Sequence, residues 1–256
     1  MTEPNFQTTS SAGSRSSETS TLKETTMKKI LVSITVLLLS LHATAAPQSD
    51  SAYKVGKDIA VFYKNPSAER AASLMDQIVK ANLMRNTTLV WGTQALQKYP
   101  QGSTIWCDNI RTYQGDALTF SAYTLALTGT SQAKTCLNSL TLDTELKNNL
   151  KKNKSFHPLQ EPILSPASLD FHWVTYFATG NPKAVERIVD YIIKAQTAAS
   201  QRPNHVDLTL ASAIWSTRSN MEQDTAIDSI VRQYIQKQPE ASKNRLEQAL
   251  LAPQDD

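Results

Sequence analysis

The side chains that most often perform chemistry are few and scattered in this 256-residue chain. Beyond residue 45 the histidines are His157, His172 and His205, which form neither an HExxH motif nor a pair four residues apart. Asp170 and His172 lie two positions apart on a predicted helix, so their side chains point in different directions. The pattern therefore predicts no metal site.

Catalytic and cofactor motifs are also missing from the sequence. It contains no G-x-S-x-G elbow and no glycine-rich phosphate loop, so no catalytic residue and no cofactor are predicted. A carboxylate pair such as Asp170 with Glu186 could support glycosidase chemistry. The simpler interpretation is that Asp170 caps a helix and that Glu186 and Asp190 share an acidic helix face. Asp207 is likewise interpreted as a helix N-cap.

Aromatic side chains are the remaining candidates for a binding site. Those at helical spacing more often form a core than a groove. A possible binding surface is nevertheless predicted in the C-terminal part of the chain, from Asp170, His172, Trp173, Tyr176 and Trp215. Because a buried indole N–H group needs a hydrogen-bond partner, Asn220 or Thr175 is predicted to supply one.

An export signal is predicted at residues 27–45. Met27 is followed by two lysines, by an apolar run over residues 30–41 and by the small-x-small sequence that ends at Ala45. The run is too short for a permanent membrane anchor, so cleavage after Ala45 and a periplasmic or secreted product are expected. Residues 1–26 are rich in serine and threonine. They represent either a start codon assigned too early or a disordered extension.

Composition narrows the choice of partner. Residues 1–45 carry four basic and three acidic side chains, which leaves a net charge of +2 on the mature chain. No stripe of lysine and arginine with interleaved aromatics is present, so neither nucleic acid nor an anionic membrane surface is favoured. Another protein or a peptide is the expected partner.

Two cysteines, Cys107 and Cys136, lie in the mature part of the chain. An even number in an exported protein favours a disulfide, and closing a loop of about 30 residues would stabilise the fold by about 3 to 4 kcal/mol. Two buried free thiols are the alternative. The spacing excludes a CxxC redox pair.

The apolar residues recur at helical spacing, and glycine is scarce. We therefore predict an all-α fold over residues 65–252, an irregular array of helical hairpins like an α-solenoid, preceded by a linker at 46–64. Three prolines predict a connecting loop at 156–166. Residues 127–133 and 178–184 repeat one pattern, in which Gly129 and Gly180 end helices. Asn65, followed by a proline, is predicted to cap another helix.

Two segments resemble known proteins. Residues 169–189, which begin Leu169-Asp170-Phe171-His172-Trp173, and residues 213–220 resemble a group of uncharacterised exported proteobacterial proteins. The hairpins also loosely resemble tetratricopeptide or Sel1-type repeats. The resemblance implies helical hairpins and protein binding, and it supplies no catalytic residues.

Two classes of function follow. The first is an exported, non-enzymatic protein-binding or scaffold protein of the bacterial envelope or secreted fraction. The alternative is a hydrolase that acts on envelope polymer through a cleft of carboxylates and histidine. Convergence of Asp170, His172 and another acid in an open pocket would favour the alternative.

Overall fold

A computed structural model describes residues 50–152, 156–200 and 207–252 of the chain. The predicted signal at 27–45, the segment 1–26, residues 46–49 and His205 lie outside the described residues. Within the described ranges the chain forms twelve α-helices, two 3-10 turns and no strand, which confirms the predicted all-α class.

The first seven helices occupy the N-terminal half. They are α1 (Asp50–Ala60), α2 (Ala68–Lys80), α3 (Asn86–Lys98), α4 (Gln101–Ile110), α5 (Gly115–Thr128), α6 (Ser131–Ser139) and α7 (Thr144–Lys152), with a 3-10 turn at Phe62–Lys64. Five further helices complete the array. They are α8 (Pro166–Thr179), α9 (Pro182–Ser200), α10 (Leu208–Gln223), α11 (Thr225–Gln236) and α12 (Glu240–Leu250), preceded by a second 3-10 turn at Pro158–Gln160.

The two predicted glycine stops are confirmed. Gly129 and Gly180 follow α5 and α8 with left-handed φ angles of 70° and 64°, a backbone conformation in which an L side chain is strained. After Gly129, the Thr130 hydroxyl accepts a hydrogen bond from the Ala133 backbone N–H and caps the start of α6. After Gly180, the Asn181 side-chain oxygen accepts a hydrogen bond from the Lys183 backbone N–H at the start of α9. The repeated sequence pattern therefore corresponds to a repeated junction between helices, α5 with α6 and α8 with α9.

The predicted cap at Asn65 is wrong, because α2 begins at Ala68, two residues later than the pattern indicates. Ser67 has extended backbone, and its hydroxyl accepts a hydrogen bond of 3.1 Å from the Arg70 backbone N–H. The Asn65 carbonyl instead accepts a hydrogen bond of 2.9 Å from the Arg70 guanidinium. Serine provides the same N-cap chemistry as asparagine, and here it stands closer to the helix.

The segment predicted as a linker, residues 46–64, is structured from residue 50 onward. It forms α1 and the first 3-10 turn, and the Phe62 side chain is fully buried. The Phe62 ring contacts Trp91 and Tyr99 edge to face, with centroid distances of 5.2 and 5.9 Å. Burial of this aromatic side chain makes the segment part of the core.

Two hydrophobic cores share α8. The first core takes its side chains from α1–α7, from the segments that connect them and from Ala178, and the second takes them from α8–α12 and from Ile163 in the connecting loop. Phe177 packs against both cores, and α8 lies along α3. The array thus departs from simple stacking of neighbours, because α3 and α8 are far apart in sequence.

The predicted disulfide is present. Cys107 on α4 and Cys136 on α6 are bonded, with a Cα–Cα distance of 5.7 Å. The bond ties together two helices that are separated in sequence by α5. Within the described residues, no helix is both long and apolar enough to cross a membrane.

Candidate functional site

Three of the five residues predicted to form a binding surface are interior, so that part of the prediction is wrong. His172, Trp173 and Tyr176 are only 1%, 3% and 1% exposed. They lie on α8, which has core on both sides, and a side chain enclosed in this way has no surface to offer a partner. The Tyr176 ring packs against Tyr63 of the first 3-10 turn, with the centroids 4.6 Å apart.

The buried Trp173 indole finds a different partner from the one predicted. Its Nε1–H donates a hydrogen bond of 3.0 Å to the Ser216 hydroxyl on α10. Asn220 instead donates to the Ser216 carbonyl, and the Thr175 hydroxyl donates to the Phe171 carbonyl within α8. Both predicted partners are therefore occupied by their own helices.

Asp170 and Trp215, the other two predicted surface residues, are half-buried. Asp170 lies inside α8 and does not cap it. Ser165 is the N-cap, with Pro166 at the first helical position and a reciprocal hydrogen-bond pair between Ser165 and Ser168. Burial raises the pKa of the Asp170 carboxyl to about 6.

His172 is held as a neutral imidazole. Burial is the main reason that its pKa falls to about 4, the positive charge of Arg187 lowers it further, and a hydrogen bond to the Glu161 backbone opposes the shift. Within the described residues its Nδ1 atom has no hydrogen-bond partner. His172 therefore lies beneath Glu161 and Arg187, two residues that face a groove on the surface.

That groove has a volume of about 220 Å³ and runs between the connecting loop and α9. Its walls are formed by Glu161, Pro162, Ile163, Arg187, Asp190, Tyr191 and Lys194. The 3-10 turn at Pro158–Gln160 packs against α8 and α9 and fixes the loop in place. The prolines predicted a connecting loop at 156–166, but they gave no sign that it closes one side of a groove.

The groove combines an apolar wall with charged rims. Ile163 is 9% exposed and belongs to the second core, whereas Arg187 and Lys194 are exposed on α9. Burial and the nearby Asp207 carboxylate raise the pKa of the Tyr191 hydroxyl. Four of the seven lining residues are charged, so a partner at this groove would meet ionic groups beside the apolar side chains of the loop wall.

A second concavity of about 500 Å³ lies at the C-terminal end of the array, between α10, α11 and the end of α12. Arg218 donates hydrogen bonds to the Leu250 and Ala252 carbonyls there, and Arg232 pairs with Asp228 at 2.8 Å. The cations of this concavity are thus already engaged in the fold. Its wall ends at Ala252, the last described residue.

The described residues contain no cluster of three or more histidine, cysteine or acidic side chains that could hold a metal ion. His157 is exposed in the connecting loop. Asp207 caps α10 as predicted, since its carboxylate accepts hydrogen bonds of 3.0 Å from the Thr209 and Leu210 backbone N–H groups.

Sequence reasoning missed the groove because its two walls are about 25 residues apart in the chain. One signal was available: Arg187 and Lys194 are seven residues apart, which places both on one face of α9. Comparisons with family models, with curated proteins and with solved structures find no match to this chain.

Proposed function

We propose that the chain is an exported, non-enzymatic protein that binds another protein or peptide at the groove between the connecting loop and α9. The observation that carries the proposal is Leu164, which directly follows Ile163 of the groove wall. Its side chain is 79% exposed, more than any other large apolar side chain of the described residues.

Leu164 is exposed and also held in position. Its backbone N–H donates a hydrogen bond of 2.8 Å to the Ser168 hydroxyl, within the capping arrangement that begins α8. An apolar side chain on a fixed backbone loses little conformational freedom when a partner covers it. Covering such a side chain removes apolar surface from water, which favours binding.

An oxidising compartment is part of this proposal. The signal predicted at 27–45 favours the periplasm or the secreted fraction, and the disulfide between Cys107 and Cys136 suits such a compartment. N-terminal sequencing of exported material should give a chain that begins at Ala46. A product that still carries residues 1–26 would contradict both the assigned cleavage and the early-start interpretation.

The hydrolase alternative has no observation in its favour. Asp170 is not among the residues that face the groove, and His172 lies in the interior. The convergence of these two groups in an open pocket, which would have favoured an enzyme, is not seen among the described residues. The alternative stays a hypothesis.

Photo-crosslinking from Leu164 tests the binding proposal. A benzophenone amino acid is placed at Leu164 and, as a matched control, at Ile105, another exposed apolar side chain (43% exposed) on α4. After irradiation in envelope extract, we expect a discrete crosslinked partner from position 164 and none from position 105. Leu164→Asp should abolish co-purification of that partner, whereas Ile105→Asp should not. Equal crosslinking from both positions, or none from either, would refute the proposal.

A further inference from the structure

The groove has an uneven distribution of free charge. Within the described residues, neither Arg187 nor Lys194 forms an ion pair, although both are exposed on the α9 wall. Of the two acids at the groove, Asp190 accepts a hydrogen bond from the Tyr234 hydroxyl on α11, which holds its carboxylate in the fold. Glu161 stands on the opposite wall. The α9 wall therefore presents two cations that lack an anionic partner.

The spacing of Arg187 and Lys194 along α9 sets the distance that two anionic groups of a ligand must span. Seven residues along an α-helix correspond to about 10.5 Å, and the intervening Tyr191 lies one turn after Arg187. An extended polyproline II segment rises about 3.1 Å per residue with three residues per turn, so side chains at i and i+3 share a face about 9 Å apart. In a β-strand, side chains at i and i+3 lie on opposite faces.

We propose that the groove takes an extended acidic peptide segment, in which two carboxylates three positions apart pair with Arg187 and Lys194. The residues between them reach the apolar loop wall at Pro162 and Ile163, and Leu164 packs against the flanking part of the segment. This inference rests on the proposed function and adds the chemistry of the partner. Charge complementarity supports it: neither Arg187 nor Lys194 forms an ion pair within the described residues, and the Asp190 carboxylate that lies between them on α9 accepts a hydrogen bond from the Tyr234 hydroxyl.

The test uses the mature full-length protein and a short fluorescent peptide that carries two glutamates separated by a proline and a leucine. Its binding is measured by fluorescence anisotropy. We expect saturable binding that weakens when NaCl is raised to about 0.5 M, because exposed charge pairs are screened by salt. The double variant Arg187→Glu with Lys194→Glu should weaken binding by about tenfold or more.

Two controls separate recognition from general charge. Lys147→Glu with Lys151→Glu changes the net charge by the same amount on α7, where both lysines are exposed, and should alter the affinity less than about twofold. A peptide with lysines in place of the glutamates should bind the Arg187→Glu, Lys194→Glu variant better than the wild type. Circular dichroism verifies that both double variants are folded.

The outcomes distinguish the two proposals. If the glutamate peptide does not bind the wild type, or if both double variants weaken it equally, the acidic-segment inference is overturned. Should the Leu164 crosslink still capture a partner in that case, protein binding at the groove stands and only the assigned chemistry fails. Failure of both the peptide and the crosslink overturns both proposals.

Discussion

The first core, built by α1–α7, contains the disulfide of the chain, whereas the second core, built by α8–α12, is held within the described residues by noncovalent contacts only. Trp173 donates to Ser216 between α8 and α10, and Tyr234 donates to Asp190 between α11 and α9. Burial and the bond to Asp190 raise the pKa of the Tyr234 hydroxyl to about 12, so this donor stays protonated at physiological pH.

The disulfide and the buried hydrogen bonds stabilise the fold through different states of the chain. A disulfide stabilises mainly by restricting the unfolded state, whereas a buried hydrogen bond acts only while both helices are packed. The second core, which carries the groove, has no covalent crosslink among the described residues, so its shape depends on side-chain packing and hydrogen bonds alone. The first core also packs closely: a Cβ atom at Gly92 on α3 would clash with the Met75 sulfur.

Removal of the Trp173 side chain should lower the stability of the second core more than any other change considered for either core. Trp173→Ala deletes a nearly buried indole and leaves the Ser216 hydroxyl without its donor, so the free energy of unfolding should fall by about 3 to 5 kcal/mol. Trp215→Ala on α10 is the matched control, and its half-buried ring should cost less than half as much. Chemical denaturation measures both variants. An equal loss would mean that Trp173 does not anchor the second core.

Removal of the disulfide should affect the other half of the molecule. Cys107→Ala with Cys136→Ala opens a loop between residues 29 positions apart, so the free energy of unfolding should fall by about 3 to 4 kcal/mol. In hydrogen exchange, amides of α4 and α6 should lose protection before those of α9 and α11 do. Uniform loss of protection across both halves would show that the two cores unfold as one unit.

A smaller loss of unfolding free energy is expected from a change at Asp224, where the first 3-10 turn contacts α11. Asp224 caps α11 through the Ala226 backbone N–H at 3.0 Å, accepts a hydrogen bond from the Tyr63 hydroxyl and pairs with Lys64 at 2.8 Å. Asp224→Ala should therefore cost about 2 kcal/mol in unfolding free energy.

The control for Asp224 lies on the same helix. Asp228→Ala removes the ion pair with Arg232 and one acidic side chain from the first turn of α11, which together are worth at most about 1 kcal/mol. Thermal denaturation of both variants measures the difference. If Asp228→Ala costs as much as Asp224→Ala, the contact between the N-terminal turn and α11 does not stabilise the array.

Local features of the fold were predictable from sequence. Gly129 and Gly180 end helices because the left-handed conformation at a helix C-terminus favours glycine, and Asp207 begins one because its carboxylate accepts backbone N–H groups. The pairing of Cys107 and Cys136 followed from their even number and the expected compartment. In each of these cases the determining atoms lie within a few residues or leave only one partner.

The burial of α8 was also within reach of the sequence. Its apolar residues, Leu169, Phe171, Trp173, Val174, Tyr176 and Phe177, cover more than half of the circumference of the helix, a pattern that indicates a helix with little exposed surface. Ser165 followed by a proline was likewise a stronger start signal than Asp170. The groove could not be predicted from the sequence, because no local pattern links the loop at Glu161 to Arg187 and Lys194 on α9.

The smallest expected effect concerns Asp170 and His172, whose shifted pKa values oppose each other on acidification. For Asp170 the folded pKa of about 6 exceeds its usual value of 3.8, so the folded state loses stability as the pH rises from about 4 to 6. For His172 the folded pKa of about 4 is below its usual 6.5, so stability is lost as the pH falls from about 6.5 to 4. The two contributions largely cancel in that window.

Asp170→Asn should expose the contribution of His172. The variant removes a half-buried charge that lacks an ion-pair partner among the described residues, so it should gain about 1 kcal/mol at pH 7. Between pH 6.5 and 4 its unfolding free energy should then fall more steeply than that of the wild type, because the histidine effect is no longer offset. Denaturant unfolding at a series of pH values measures both slopes, and His172→Gln, which removes the opposite contribution, should give a stability that increases on acidification over the same range. If Asp170→Asn is instead less stable than the wild type at pH 7, the fold stabilises the charged carboxylate, and the raised pKa of Asp170 is refuted.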